Sequence, residues 1–124
     1  QRFGDGAVFL SVDGYHHHIA LNTWQSAGAT PPPPGHTGLF HVALLLPDRA
    51  ALGTILRRLQ EAGWPLTGAS DHGVSEALYL DDPDGNGVEI YWDRPQDEWP
   101  RDAEGGLAMV TRRLDLDALL ADAG

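Results

Sequence analysis

The apolar runs Ala77–Leu80 (ALYL) and Val88–Trp92 (VEIYW) are rich in aromatic and branched residues, with one charge, Glu89, set among them. Between them Asp-Pro-Asp-Gly-Asn-Gly supplies residues that tolerate the left-handed backbone of a tight reversal. The pattern predicts a hairpin. Along its second strand a period of two sends Val88, Ile90 and Trp92 to one face and Gly87, Glu89 and Tyr91 to the other. Glu89 is therefore a carboxylate planted mid-strand among apolar neighbours. An ionised group there is costly unless a cation or hydrogen-bond donors compensate it.

The remaining pattern predicts the other elements. Ala7–Ser11 (AVFLS) reads as a strand, Val12-Asp13-Gly14 as a turn, and Tyr15–Trp24 (YHHHIALNTW) as a second strand. Ser26–Thr37, with four consecutive prolines, is a stiff loop that cannot join a sheet interior. The continuous apolar run Leu39–Leu46 (LFHVALLL) reads as a buried strand. Asp48 then caps a helix whose Leu52, Ile55, Leu56 and Leu59 share one face, and Gly63 ends it. Trp64-Pro65-Leu66 is extended, and Gly68–Gly73 (GASDHG) is expected as a polar loop before the hairpin. Asp93–Gly106 is an acidic tail segment, followed by a short strand at Leu107–Thr111 and a short helix at Leu114–Ala121.

The middle of the chain is thus β-α-β-β-β, and the start resembles its end. Placing AVFLSVDGYHHHIALNTW over ALYLDDPDGNGVEIYW sets Ala7 on Ala77, Phe9 on Tyr79 and Leu10 on Leu80. A turn two residues longer in the second copy brings His17 onto Glu89. The expected architecture is α+β, built from paired βαβββ modules that form a curved mixed sheet, with the first module incomplete in this chain. Residues 1–37 are its C-terminal hairpin and a Pro-rich linker, 38–95 the complete second module, and 96–124 a tail with a short helix. The strand matching Leu39–Leu46 in the first module is expected about 30 residues before Gln1.

Composition narrows the classes of function. With 8 basic and 18 acidic residues the net charge of −10 offers no basic face to a phosphate backbone or an anionic membrane. No cysteine is present, which excludes disulfides, thiolate metal ligands and a cysteine nucleophile, and suits the cytoplasm. No phosphate-binding glycine loop or nucleophile elbow occurs.

The candidate chemistry is histidine and carboxylate. His41 alternates with Leu39, Ala43 and Leu45, and alone it reads as a core histidine; Glu89 alone reads as a strand carboxylate facing solvent. Together, on two strands of one module, an imidazole and a carboxylate on the same concave face form a pairing that a divalent metal accepts. His16, His17 and His18 alternate faces, so His17 points away from the other two and takes the place that Glu89 takes in the second copy. His72 lies in a loop at the sheet rim. Phe9, Leu21, Tyr79 and Tyr91 are cavity-facing by alternation and suited to sandwiching an aromatic ring.

These segments carry a resemblance. VFLSVDGYHHHIALNTW, GHTGLFHVALLLPDRAAL and SDHGVSEALYLDDPDGNGVEIYWDRP are similar to the vicinal oxygen chelate superfamily of glyoxalases, bleomycin-resistance proteins and extradiol ring-cleaving dioxygenases, and most of all to its catechol 2,3-dioxygenase-like branch. The resemblance implies a non-haem Fe(II) enzyme that cleaves a catechol-type aromatic with dioxygen. It implies metal ligands at His41 and Glu89, with a third ligand from a strand preceding Gln1. It gives His17 an acid/base role and makes His72 a pocket histidine that contacts substrate. Mn(II), Zn(II) or Ni(II) at the same ligands would suit a glyoxalase-like isomerase, lyase or transferase. A metal-free protein that binds an antibiotic or other small molecule is a further alternative. Homodimers occur in such folds, although no residue here demonstrates one.

Overall fold

The computed structural model describes residues 1–124, which form two compact units, residues 1–36 and 37–124. In the first, β1 (Arg2–Phe3), β2 (Ala7–Leu10) and β3 (Ile19–Asn22) make an antiparallel meander. Asp13 and Gly14 both have positive φ (55° and 72°), as a tight reversal between twisted strands requires. The expected strand Tyr15–Trp24 is shorter than its pattern: regular pairing begins only at Ile19, and His16–His18 lie in the approach to it. The proline run joins no strand.

The second unit has the β-α-β-β-β order that the hydrophobic pattern predicts. β4 (His41–Leu45), α1 (Arg49–Glu61), β5 (Gly68–Asp71), β6 (Ser75–Asp81) and β7 (Gly87–Asp93) follow in sequence, and β8 (Arg112–Arg113) and α2 (Leu116–Ala121) complete it. The sheet order is β4-β7-β6-β5-β8; β4 runs parallel to β7 and the other pairs are antiparallel. Asp48 caps α1 by accepting from Ala51 N at 2.7 Å, and Gly63, at φ 65°, turns the chain out of it.

Two expectations change here. Gly68–Asp71, read as a polar loop, is a strand, because β6 on one side and β8 on the other satisfy its backbone. Tertiary pairing overrides its weak propensity. The last strand of the sheet is Arg112–Arg113 in place of Leu107–Thr111, where Leu107 makes only a single bridge to Arg101. In addition, β4 is an edge strand and not a buried one; Phe40 is 88% exposed.

The core lies on one face of the sheet. Leu52 and Leu56 of α1 meet Leu78 of β6 and Leu114 and Leu119, with Ile90 and Trp92 of β7 packed against them. Gly53 permits the close crossing of the helices, since a Cβ there would stand 2.5 Å from the Leu119 carbonyl oxygen. By the period of two, Ala77, Tyr79, Glu89, Tyr91 and His41 occupy the other face. No helix of the protein is long and apolar enough to cross a membrane.

Candidate functional site

On that second face the register decides which side chains meet. In the antiparallel β6–β7 ladder Tyr79 lies directly opposite Glu89, and in the parallel β4–β7 ladder His41 pairs with Gly87, two residues before Glu89. Parallel pairing therefore brings His41 diagonally onto Glu89, and His41 Nε2 lies 3.0 Å from Glu89 Oε2. The side chains are 32% and 15% exposed, so the pair is half-covered, with His41 the more open member. The Tyr79 hydroxyl donates to the other oxygen, Oε1, at 3.0 Å. The mid-strand carboxylate is thus compensated on both oxygens.

Tyr79 extends the chain of contacts to His72, whose Nε2 lies 3.0 Å from the Tyr79 hydroxyl. Burial pushes the Tyr79 phenol up to about 12, and the hydrogen bond to Glu89 and its negative charge add to the effect. The phenol is therefore a proton carrier throughout the physiological range. Phe40, His41, Gly68, Ser70, Tyr79 and Gly87 are among the residues lining a cleft of about 520 Å³. A second cleft of about 340 Å³ near Trp64 and Pro83 contains no histidine.

Beneath His72 is a layer of charge. Asp71 Oδ1 accepts from Gly73 N at 2.8 Å, and its Oδ2 lies 3.2 Å from Arg94. Burial works against the ionised Asp71, but the Gly73 N–H and the Arg94 charge together hold its carboxyl below the usual range. The same Arg94 nitrogen donates to Glu76 Oε1 at 2.8 Å. Glu76 is only 4% exposed, and its Oε2 also accepts from Arg49 Nε at 2.7 Å and Trp92 Nε1 at 3.0 Å. Arg49 reaches Asp122 as well, which ties α2 to α1 and the sheet.

The predicted site residues divide accordingly. His41, Glu89, Tyr79 and His72 form one continuous set of contacts; Tyr91 shares their face but lies opposite Ala77, away from the lining of the larger cleft. In the first unit His17 stacks on Phe9, with ring centroids 4.8 Å apart, and it is the half-covered member of its triplet while His16 and His18 are exposed. Leu21 does not join that pair. Phe9 is registered with Ala20 and Leu21 with Val8, so Phe9 and Leu21 lie on opposite faces of the meander and cannot form one wall. His17 precedes regular strand, so its equivalence to Glu89 is one of alignment and not of strand position.

Sequence reasoning assigned Tyr79 only a wall, whereas its hydroxyl links Glu89 to His72. The signal was present: residues 79 and 89 are equidistant from Asp84 at the hairpin turn, so a symmetric hairpin pairs them. Nothing local marked Asp71, Glu76 and Arg94 as a network.

No group of three His, Asp or Glu side chains converges here as a full metal site needs. Two do, and their fit to a cation can be tested by distance. Two donors about 2.1 Å from one cation and at right angles lie about 3 Å apart. The His41–Glu89 separation of 3.0 Å meets that condition.

The family model for the glyoxalase/bleomycin resistance protein/dioxygenase superfamily matches residues 3–90. The chain is 50% identical over 120 residues to a catechol-2,3-dioxygenase of Bacillus subtilis (strain 168), covering 97% of this chain and 41% of that protein. It is also similar to two proteins of Rhodococcus globerulus. Biphenyl-2,3-diol 1,2-dioxygenase 3 is 35% identical over 68% of this chain and 45% of its own length, and biphenyl-2,3-diol 1,2-dioxygenase 2 is 37% identical over 73% and 47%. The chain spans less than half the length of the curated relatives it matches.

Proposed function

The chain belongs to the glyoxalase/bleomycin resistance protein/dioxygenase superfamily, and from that premise we propose that it carries the metal- and substrate-binding module of an extradiol dioxygenase acting on a catechol-type aromatic. The observation that carries the reading is the His41–Glu89 pair at cis-ligand separation beside a cleft of about 520 Å³. The names of the relatives support the substrate class.

His41 and Glu89 would hold a divalent cation, Fe(II) by the similarity to named dioxygenases. Bound there it would supply Lewis acidity toward the two catechol oxygens and one-electron chemistry toward dioxygen. Tyr79 fixes the Glu89 carboxylate through Oε1, which leaves Oε2 directed at His41 and would leave it free to serve a cation held by the two. Tyr79 also keeps its own proton, and it can donate that proton to a catecholate oxygen in place of Glu89 Oε1. His72 stands behind Tyr79, and the family resemblance makes it the candidate for a further contact with substrate. Phe40 and Val88 offer apolar surface to the ring. His17 is the acid/base candidate; its support is the match of YHHHIALNTW to the dioxygenase-like branch, together with its half-covered position against Phe9.

A second reading has one observation in its favour. His41 and Glu89 satisfy each other directly at 3.0 Å, as they would in a metal-free cleft that binds a small molecule. Metal analysis and catechol turnover of the full-length protein, after anaerobic reconstitution with Fe(II), separate the two. His41→Ala and Glu89→Ala are expected to lose bound metal, whereas His17→Ala keeps it and loses most turnover. Retention of metal in both ligand variants would overturn the assignment, and metal loss in His17→Ala would overturn the division of roles.

A further inference from the structure

The β5–β6 turn is held by more than its own hydrogen bonds. The His72 N–H donates to the Ser75 carbonyl at 2.8 Å, closing the turn, and the His72 carbonyl accepts from Val110 N at 3.1 Å. The His72 ring returns to the same residue, with Nδ1 3.0 Å from the Val110 carbonyl oxygen. Gly73, at φ 77°, has no room for a side chain: a Cβ would stand 2.9 Å from Pro100 Cγ and 3.3 Å from Val110 Cγ2. Turn and C-terminal segment are therefore pressed together, and Val110 meets His72 through both its amide and its carbonyl.

A carbonyl oxygen can only accept a hydrogen bond. At 3.0 Å the ring nitrogen facing it must carry the proton, because two acceptors at that separation repel. The Thr111 hydroxyl, 3.4 Å from the same Nδ1, is a longer contact whose oxygen can face the same proton. A neutral imidazole has one N–H. If it is on Nδ1, Nε2 is bare, and Nε2 is the atom 3.0 Å from the Tyr79 hydroxyl.

We propose that Val110, through its main chain, is a positioning residue that holds His72 in the Nδ1–H tautomer, so that His72 offers Tyr79 a proton acceptor and not a donor. Tyr79 then has one proton and two acceptors, Glu89 Oε1 and His72 Nε2, both at 3.0 Å. It serves only one at a time, by rotation of its hydroxyl, and while it donates to Glu89 the bare Nε2 is left without a donor and free to accept from another. A substrate hydroxyl that displaces Tyr79 from Nε2 would find a lone pair to donate to. The catalytic meaning of this arrangement rests on the dioxygenase reading above, whereas the tautomer itself does not.

Nitrogen-15 NMR of the histidine rings reads the tautomer directly. The sample is the full-length protein loaded with diamagnetic Zn(II), at about pH 9, where an ordinary histidine is neutral. The His72 signals are assigned by their loss in His72→Gln. The expected spectrum has a protonated, pyrrole-type Nδ1 and a bare, pyridine-type Nε2. Tyr79→Phe, which removes the partner of Nε2 and leaves Val110 untouched, is expected to retain that pattern. A proton on Nε2 in the parent protein overturns the proposal. So does a reversal of the pattern in Tyr79→Phe, which would make Tyr79 the group that sets the tautomer. No turnover enters the measurement, so a protein that shows the tautomer but cleaves no catechol refutes only the proposed function.

Discussion

Gly87 tests whether the His41–Glu89 pair depends on the close approach of two backbones. Its φ is not in the left-handed region, so its requirement is one of space. A Cβ at position 87 would stand 2.1 Å from the Phe40 carbonyl oxygen and 3.0 Å from His41 Cβ. Ordinary carbon–oxygen contacts lie at roughly 3.3 Å, so Gly87→Ala must push β4 from β7 by about 1 Å. The backbone carbonyl cannot rotate aside as a side chain would. The overpacking is expected to cost about 1–3 kcal/mol of stability, measured by urea unfolding. A displacement of that size between two ligands is worth about 10²-fold in a geometry-dependent activity. We therefore expect roughly that loss in catechol turnover of the full-length protein, accompanied by weaker metal binding. Gly85→Ala is the control: its φ of 83° makes it strained, but no atom lies within 4 Å of the added Cβ. It should lose about 1 kcal/mol and leave metal binding intact. If Gly87→Ala binds metal as the parent does, the close strand approach does not position His41 and the reasoning fails.

Removal of Glu76 leaves Arg49 and Arg94 without their shared carboxylate and Trp92 Nε1 without its acceptor. Because the arginines keep about a quarter of their surface in water (24% and 23%), Glu76→Ala should cost near the lower end of the buried-pair range, about 3 kcal/mol in urea unfolding; a loss under about 1 kcal/mol would refute the network. Tyrosinate absorbance should resolve one group titrating near 12, absent in Tyr79→Phe and moved back toward 10.0 in Glu89→Gln. The folded value is the raised one, so this contribution to stability is complete below pH 10 and is lost as pH rises from 10 to about 12. Titration of Tyr79 near 10 would contradict the burial and the bond to Glu89.

Much of the second unit was legible because its signals are local. The helix from Asp48 carries its cap, its apolar stripe and its terminating glycine in one stretch, and the hairpin carries its turn chemistry between two strands rich in aromatic and branched residues. Elements whose existence depends on a distant partner were misread. Gly68–Asp71 has no strand-like composition and pairs only because β6 and β8 flank it. The triplet His16–His18, expected inside a strand, precedes the regular pairing that begins at Ile19, although its exposure still alternates with His17 the half-covered member.

In the second unit, sequence alone determined which residues share a face: alternation placed Glu89 with Tyr91 and His41 with Ala43 and Leu45, and each grouping holds in the ladders, whereas Phe9 and Leu21 of the first unit, grouped the same way, fall on opposite faces. It could not determine that β4 lies beside β7 and parallel to it, in the register that brings His41 to 3.0 Å from Glu89. Strand order and register are long-range properties, set by the packing of α1 over one face and by the space that Gly87 leaves for Phe40. The bond from Val110 to His72, across 38 residues, and the meeting of Asp71, Glu76 and Arg94 were likewise decided only when the chain closed on itself. Periodicity acts within one strand; a hydrogen bond between side chains requires two backbones already fixed in place.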